Sequence, residues 1–225
     1  GETPARRWLV FVVRFKIVSI HKQKALPKTM QTYQEKRHYS PEEYLQLEEN
    51  AEYKSEYING IIIPIAGGTT NHNRIAGNFY AALNFAFKQQ DYEVFMGDVR
   101  LWIPQKRIYT YPDVMVIAGE PIYWDNRTDT ITNPIVIIEV LSESTEGYDQ
   151  EGKFQIYKTI PSFAEYVLID QTRIYIEQYS KTAKKRWSLF EYDEEDENIT
   201  LTSIPFQISL ADVYNKVKFG EKQKN

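Results

Sequence analysis

The stretch NPIVIIEVLSEST, residues 133–145, carries the strongest structural signal in this chain. Its four consecutive aliphatic residues, Ile135 to Ile138, predict a short strand that is buried on both faces of a sheet. Glu139 follows them directly. An ionised carboxylate taken out of water without a partner costs on the order of several kcal/mol. We therefore expect a cation or a hydrogen-bond network to meet Glu139 where the strand ends.

The segments after this stretch indicate a mixed α/β fold that finishes in strands. A helix from about Asp149 to Thr159 is predicted to lead into AEYVLID, residues 164–170, a strand of buried character. Three further runs predict an antiparallel strand meander: RIYIEQYS (173–180), KRWSLFEY (185–192) and NITLTSI (198–204). The charged turns between these three runs are expected to be solvated.

The segments before the stretch carry start and turn signals. Ser40, with Glu43 three residues later, forms a capping box at the start of a short helix. Asn59-Gly60 predicts the turn of a β-hairpin. Residues 71–90 have apolar side chains at helical spacing and predict an amphipathic helix that ends near residue 90. Two β-rich runs follow and predict an antiparallel pair: YEVFMGDVRLWIP (92–104) and IYTYPDVMVIAG (108–119).

Length and composition fit one folded domain. The chain has 225 residues, of which 42% are hydrophobic and 26% charged. We predict a single domain over residues 30–217 and a polar tail over residues 218–225. Residues 1–29 are predicted to be a leader or an extension outside the core, with an extra edge strand as the alternative. Arg14 and Lys16 interrupt the apolar run of this segment, which is too short for a membrane span, so no membrane partner is expected.

The residue types exclude several kinds of site. The chain has no cysteine and three histidines, which excludes disulfides, thiolate zinc sites and a cysteine nucleophile. Any metal is therefore expected to have oxygen ligands. The lack of cysteine also fits a cytoplasmic protein. Residues 1–30 carry seven basic residues against one acidic residue, which leaves a charge of −10 on the rest of a chain whose net charge is −4. This negative charge argues against a protein that coats DNA, because such proteins bind by neutralising DNA phosphates with basic residues.

Three carboxylates lie in or at the end of apolar strands: Glu56, Asp113 and Glu139. Pro112 marks a strand start, an edge or a bulge just before Asp113, because proline cannot donate to a strand ladder. Two carboxylates from neighbouring strands form a simple oxygen-rich site of the kind that Mg²⁺ prefers. Lys153 is the candidate cation for stabilising charge in a transition state. The alternative is an ordinary helical ion pair between Asp149 and Lys153.

The motifs YPDVMVI, PIVIIEVLSEST and DQEGKFQIYKTIPSFAEYVLID, in this order, resemble the Uma-two family of predicted restriction endonucleases, a branch of the PD-(D/E)XK nuclease superfamily. The resemblance runs from about Tyr39 to Val217. It implies a restriction-endonuclease-like α/β/α fold with a central mixed sheet. It also implies a metal-dependent endonuclease that hydrolyses DNA with Mg²⁺, for which Mn²⁺ can substitute.

The same resemblance assigns roles to individual residues. Asp113 and Glu139 match the two metal-binding acidic residues, and Lys153 matches a catalytic lysine displaced onto the following helix. Glu56 matches a front-half glutamate that helps to position a second metal. The sequence departs from the usual superfamily pattern at Leu141, where a lysine is expected. Catalysis therefore depends on Lys153 reaching the site.

Other residues and other functions stay open at this level. Glu165 is predicted either to support the metal site or to pair with a surface lysine. His72 is interpreted as a capping or packing residue, and Tyr157 as a core residue. The rival hypothesis is a catalytically inactive interaction module that keeps the nuclease fold and could form a homodimer. A glycosidase that uses the paired carboxylates is the third hypothesis.

Overall fold

A computed structural model of the chain describes residues 37–141 and 152–220, which belong to one compact unit. The helices in these ranges are α1 (Pro41–Glu48), α2 (Thr70–Ala86), α3 (Phe154–Tyr157) and α4 (Leu210–Val213). The first strands are β1 (Ser55–Ile58), β2 (Ile61–Pro64), β3 (Tyr92–Met96), β4 (Arg100–Ile103), β5 (Ile108–Thr110), β6 (Val114–Ala118) and β7 (Thr130–Ile131). The remaining strands are β8 (Val136–Leu141), β9 (Glu165–Asp170), β10 (Ile176–Ala183), β11 (Arg186–Tyr192), β12 (Asn198–Leu201) and β13 (Phe206–Ser209).

Val136, Ile137 and Ile138 of the apolar run begin β8, and all six residues of this strand are buried. It lies inside a six-stranded sheet with the order β11-β10-β9-β8-β6-β3. β8 runs parallel to β9 and antiparallel to β6, so the sheet is mixed, as predicted. Such a strand is covered on both faces, which explains its continuous hydrophobic sequence.

The two faces of this sheet pack against different elements. Ile138 and Val140 point into a cluster with the apolar side of α2. Ile137 and Leu141 point the other way, into a cluster with α3 and with apolar residues of β4 and β5. Because side chains alternate along a strand, Glu139 faces the same side as Ile137 and Leu141. The α/β/α arrangement thus fixes which elements can reach Glu139.

The predicted antiparallel pair at residues 92–119 divides between two sheets. β3 pairs with β6 in the six-stranded sheet, whereas β4 pairs with β5 in a five-stranded sheet of order β2-β1-β5-β4-β7. The chain changes sheet at Gly97, which has φ 54°, and at Pro112, which has no N–H to donate to a ladder. Asp113 therefore lies at the junction of the two sheets.

The local signals at the front of the described chain are confirmed. Ser40 and Glu43 form the capping box of α1. Asn59 and Gly60 have positive φ angles and turn the hairpin of β1 and β2. Helix α2 ends at Ala86, a few residues before the predicted end.

The predicted meander is correct for two of its three strands. β9, β10 and β11 are consecutive antiparallel neighbours, but β12 leaves this sheet and pairs with β13 in a separate ribbon. Ile199 and Leu201 of β12 join the cluster that covers α2. Burial of this apolar face against the helix explains why β12 does not extend the sheet.

Several predicted segments lie outside the described residues: the leader 1–29, the start of the helix predicted from Asp149, and the last residues of the tail. Lys218, predicted to begin the tail, donates its N–H to Asn71 Oδ1 at 3.2 Å and accepts a hydrogen bond from Asn71 Nδ2 at 2.8 Å. The packed structure therefore extends past Val217. Within the described ranges, no helix has the length and apolar character needed to span a membrane.

Candidate functional site

Asp113 and Glu139 face each other on neighbouring strands. The antiparallel register pairs Val114 with Ile138, so the next step along the ladder sets Asp113 opposite Glu139. Directly opposite residues in an antiparallel pair share one face of the sheet. Val140 N–H donates to Asp113 Oδ2 at 2.8 Å, and Asp113 N–H donates to Glu139 Oε2 at 3.4 Å. Each carboxylate is thus held by the backbone of the other strand.

Glu139 has the cation that its burial predicts. Its side chain is only 5% exposed, and Lys153 Nζ lies 3.1 Å from Oε1. The hydroxyl of Tyr157 donates to the same oxygen at 2.7 Å. Lys153 immediately precedes α3 and Tyr157 lies four residues later, so both side chains leave the same side of this short helix. Lys153 therefore lies beside the carboxylate of Glu139 near the end of β8.

Glu56 joins the site from the other sheet. It lies on β1, whose opposite face carries Tyr57 into a separate aromatic cluster with α1. Lys153 Nζ is 4.0 Å from Glu56 Oε1, and the hydroxyl of Thr110 donates to the same oxygen. Lys153, whose side chain is 12% exposed, thus lies between carboxylates from two different sheets. Its ammonium group is positioned by electrostatic attraction from both sides.

His72 reaches the site from α2, which the sequence did not predict. Its Nε2 lies 3.2 Å from Asp113 Oδ2. The capping residue of this helix is Thr69, whose Oγ1 accepts a hydrogen bond from His72 N–H at 3.1 Å in the first turn. The histidine therefore combines a backbone role in the helix start with a side-chain contact to a candidate metal ligand. No local pattern in the sequence indicates the contact with Asp113, because it depends on the direction of α2 relative to the sheet.

The ligand types at this site fit a hard divalent cation. Asp113 and Glu139 offer two carboxylates at neighbouring strand ends. The side chain of Asp113 is 20% exposed and therefore open to solvent. Within residues 37–141 and 152–220, no group of three or more His, Asp or Glu side chains has the geometry of a complete metal cage. Mg²⁺ prefers one or two carboxylates together with waters and substrate phosphates to a full protein cage. Two carboxylates therefore suffice for this ion.

Residues 41–212 match the model of the Uma2 family, which is described as "Putative restriction endonuclease". The chain belongs to the Uma2 family. Two relatives in Synechocystis sp. (strain ATCC 27184 / PCC 6803 / Kazusa) are similar along most of their length. "Uncharacterized protein sll1609" is 48% identical over 157 residues, which cover 70% of this chain and 89% of the relative. "Uncharacterized protein slr1290" is 34% identical over 181 residues, which cover 80% and 93%.

A solved structure shares the fold of this Uma2 protein. It is the crystal structure of "a putative nuclease belonging to DUF820" from Anabaena variabilis ATCC 29413. The two structures superpose with a TM-score of 0.64 at 22% sequence identity, over 78% of this chain and 97% of the other. The predicted restriction-endonuclease-like fold is thus confirmed.

The Uma2 chain carries Leu141 where the superfamily pattern has a lysine, and Lys153 approaches Glu139 from another element. Leu141 lies two residues after Glu139 on the same face of β8 and is buried with α3. A lysine at position 141 would point into the space beside Glu139 that Lys153 reaches from the helix. The cation therefore comes from a different element but meets the same carboxylate.

Glu165, predicted either to support the metal site or to pair with a surface lysine, is not brought beside Asp113 and Glu139 by the structure. Glu165 pairs with Val136 at the start of β8, three positions from Glu139, and it lies on the face opposite to that of Tyr166 and Leu168. Its carboxylate accepts hydrogen bonds from Gln178, Ser180, Thr202 and Ser203. Glu165 therefore anchors the turn between β12 and β13 instead of the carboxylate site.

Proposed function

We propose that this Uma2 protein is a metal-dependent endonuclease that hydrolyses phosphodiester bonds in DNA. The observation that carries the proposal is the 3.1 Å contact between Lys153 Nζ and Glu139 Oε1, beside Asp113 on the adjacent strand. Together the three residues supply two acidic ligands and one cation. Two carboxylates with a neighbouring lysine are suited to phosphoryl chemistry, in which negative charge must be both bound and stabilised.

Asp113 and Glu139 are the residues that would hold Mg²⁺, or Mn²⁺ in its place. When bound, the ion would supply Lewis-acid catalysis to a phosphodiester and favour deprotonation of water. Asp113 is oriented for this role by the N–H of Val140 and by His72 Nε2. Glu139 is oriented by the hydroxyl of Tyr157 and the ammonium of Lys153.

Lys153 is the residue proposed to act on the reacting phosphate. Its ammonium is largely withdrawn from solvent and can donate a hydrogen bond to a phosphate oxygen as negative charge develops there. Glu56, 4.0 Å from the same ammonium, is proposed as a supporting residue that directs Lys153 towards the site. Residues 31–225 carry a net negative charge that repels DNA phosphates. Lys153 and the bound metal would offset this repulsion at the site.

A second candidate function is a non-catalytic interaction module. The observation that favours it is the ion pair itself, because an ammonium at 3.1 Å already compensates the buried charge of Glu139 without a metal. In both cases we propose a cytoplasmic protein, and the interaction module would act as a homodimer.

A nicking assay separates the two functions. Supercoiled plasmid should be converted to the open-circular form by the wild-type chain with Mg²⁺ or Mn²⁺ and should stay intact in EDTA. Asp113→Asn, which keeps the size of the side chain but removes its charge, should lose this activity. No nicking by the wild type, together with no divalent-ion binding in a calorimetric titration, would establish the non-catalytic module instead.

Replacing Tyr157 by phenylalanine is expected to lower the nicking rate by about tenfold with a small loss of stability, on the order of 1 kcal/mol for one hydrogen bond. The change removes the donor to Glu139 Oε1 and keeps the ring that packs against Phe163 and Tyr166. Tyr157 is thus a positioning residue. Its role predicts that higher Mn²⁺ concentration restores part of the rate, because a less ordered Glu139 binds the ion less well.

The matched control is Tyr179→Phe. Tyr179 lies on the same side of the six-stranded sheet, and its hydroxyl donates to Glu177 at 3.0 Å instead of to Glu139. This variant should keep the wild-type nicking rate. Equal losses in both variants, without rescue by Mn²⁺, would contradict a specific role for Tyr157.

A further inference from the structure

Strand β11 is an exposed edge of the six-stranded sheet. One flank of β11 pairs with β10, and no strand in the described part of the chain pairs with the other flank. Leu189 and Phe190, in the middle of β11, are 48% and 45% exposed and lie on opposite faces. Native proteins usually protect such an edge with charges, prolines, bulges or short strand length. The seven residues of β11 have none of these devices at their centre.

The two ends of β11 carry opposite charges. The basic turn, which we define as residues 184–186, has the sequence Lys-Lys-Arg and is exposed. The acidic turn, defined as residues 193–197, has the sequence Asp-Glu-Glu-Asp-Glu and is also exposed. A second copy of β11 running antiparallel would place its acidic turn beside the first basic turn, and the reverse at the other end. The edge is therefore electrostatically complementary to itself.

We propose that the chain forms a homodimer in which β11 pairs with β11 of a second copy. The contact is isologous, with a two-fold axis normal to the sheet. Opposite residues in an antiparallel pair have their side chains on the same face of the sheet. The two-fold symmetry therefore pairs odd-numbered residues with odd-numbered residues, and even with even. In the register centred on Leu189, that residue faces its own copy and Lys184 lies opposite Glu194. The two six-stranded sheets then become one continuous sheet.

The dimer leaves each carboxylate site complete within its own copy. β9 and β10 lie between β8 and the edge strand, so seven strand spacings separate the two β8 strands of the dimer. At about 4.8 Å for each spacing, the lateral separation is roughly 34 Å. Loss of the β11 contact would therefore leave the proposed nuclease activity unaffected, and loss of that activity would leave the contact unaffected.

Sedimentation velocity on the full chain is the first test. A species of twice the 26.5 kDa chain mass should increase as the protein concentration rises. Its dissociation constant should increase with ionic strength, because salt screens exposed charges. A monomer at every concentration up to roughly 100 μM, where an affinity of about −5.5 kcal/mol would already show, overturns the proposal.

Disulfide trapping tests the register. The natural chain has no cysteine, so Leu189→Cys introduces a single thiol. Opposite Cα atoms in an antiparallel pair are about 4.5 to 5.5 Å apart, within the range of a disulfide. Mild oxidation should therefore give a covalent dimer. Leu47→Cys on α1, a position that is 51% exposed, is the matched control and should give little covalent dimer. Equal cross-linking of both variants contradicts the β11 contact.

Reciprocal charge reversal tests the identity of the partner. Lys184→Glu with Arg186→Glu makes both ends of β11 acidic, and the combined changes Glu194→Lys, Glu195→Lys and Glu197→Lys make both ends basic. Each of these two variants should dimerise at least tenfold more weakly than the wild type, with an unchanged circular dichroism spectrum. An equimolar mixture should restore the dimer. Wild-type dimerisation of both variants, or a mixture that stays monomeric, overturns the proposal.

Discussion

Replacing Lys153 by methionine is expected to slow metal-dependent nicking of DNA by about 10²- to 10³-fold, the usual loss when one stabilising donor is removed from a transition state. Methionine keeps most of the apolar stem of lysine, so packing around α3 is largely preserved. The change removes the only charge that lies within 4.0 Å of both Glu56 and Glu139 among the described residues. Initial rates of loss of supercoiled plasmid, at saturating Mg²⁺, measure the effect.

Metal affinity separates a catalytic role of Lys153 from a structural one. The ammonium opposes a second cation at Glu139, so Lys153→Met should bind Mn²⁺ at least as tightly as the wild type while it cleaves more slowly. Glu139→Gln should lose metal binding and cleavage together. Calorimetric titration with Mn²⁺ gives both affinities. If Lys153→Met weakened Mn²⁺ binding as much as it slowed cleavage, the lysine would only order the site.

Lys158→Met is the matched control for this experiment. Lys158 ends the same short helix, and its ammonium lies 4.5 Å from the ring centroid of Phe154, a residue of the cluster beneath α3. The variant removes one positive charge from the same element without touching Glu139. Its nicking rate should stay within about twofold of the wild type, because the ammonium of Lys158 contacts the ring of Phe154 instead of the carboxylate of Glu139.

The meeting of Asp113 and Glu139 could be predicted because both residues carry strong local signals. The apolar run before Glu139 specifies a buried strand, and Pro112 specifies where the strand of Asp113 begins. Two neighbouring strands then need only an antiparallel register to bring the carboxylates together. The break at Gly97 between two sheets was not predictable in the same way, because a single glycine in a β-rich run has several structural meanings.

The contacts of His72 and Tyr157 depend on packing between distant elements. Tyr157 has the spacing of a core residue, and it is indeed fully buried, but its hydroxyl still donates to Glu139. Helical periodicity identifies the buried face of a helix, but it does not identify which polar atom of another element that face contacts. For His72, the direction of α2 relative to the sheet decides the contact, and no local pattern encodes that direction.

Glu165 shows how strand parity decides between two roles for a buried carboxylate. Its neighbours in the sequence suggested a place beside the metal, but a shift of one residue along a strand moves a side chain to the other face. On that face Glu165 meets the backbone N–H groups of Thr202 and Ser203 and the side chains of Gln178 and Ser180. Its function is therefore to hold the β12–β13 ribbon against the sheet.

Replacing Glu165 by alanine is expected to destabilise the fold by about 3 to 5 kcal/mol, the usual cost of removing one partner from a buried charged network. The carboxylate is completely buried, and its loss leaves the N–H groups of Thr202 and Ser203 without acceptors. Urea unfolding of the wild type and the variant measures the difference. Glu93→Ala, which removes an exposed carboxylate from β3 of the same sheet, should change stability by no more than about 0.5 kcal/mol.

Hydrogen exchange identifies where the Glu165→Ala variant loses its stability. The amides of β12 and β13 should exchange faster first, because the turn that joins them loses its anchor, while β8 keeps its protection. Below the unfolding transition the variant should bind Mn²⁺ as the wild type does, since Glu165 and Glu139 lie on opposite faces of the sheet. If the variant stays folded but loses Mn²⁺ binding, Glu165 contributes to the metal site. That result would contradict the role derived from its hydrogen bonds.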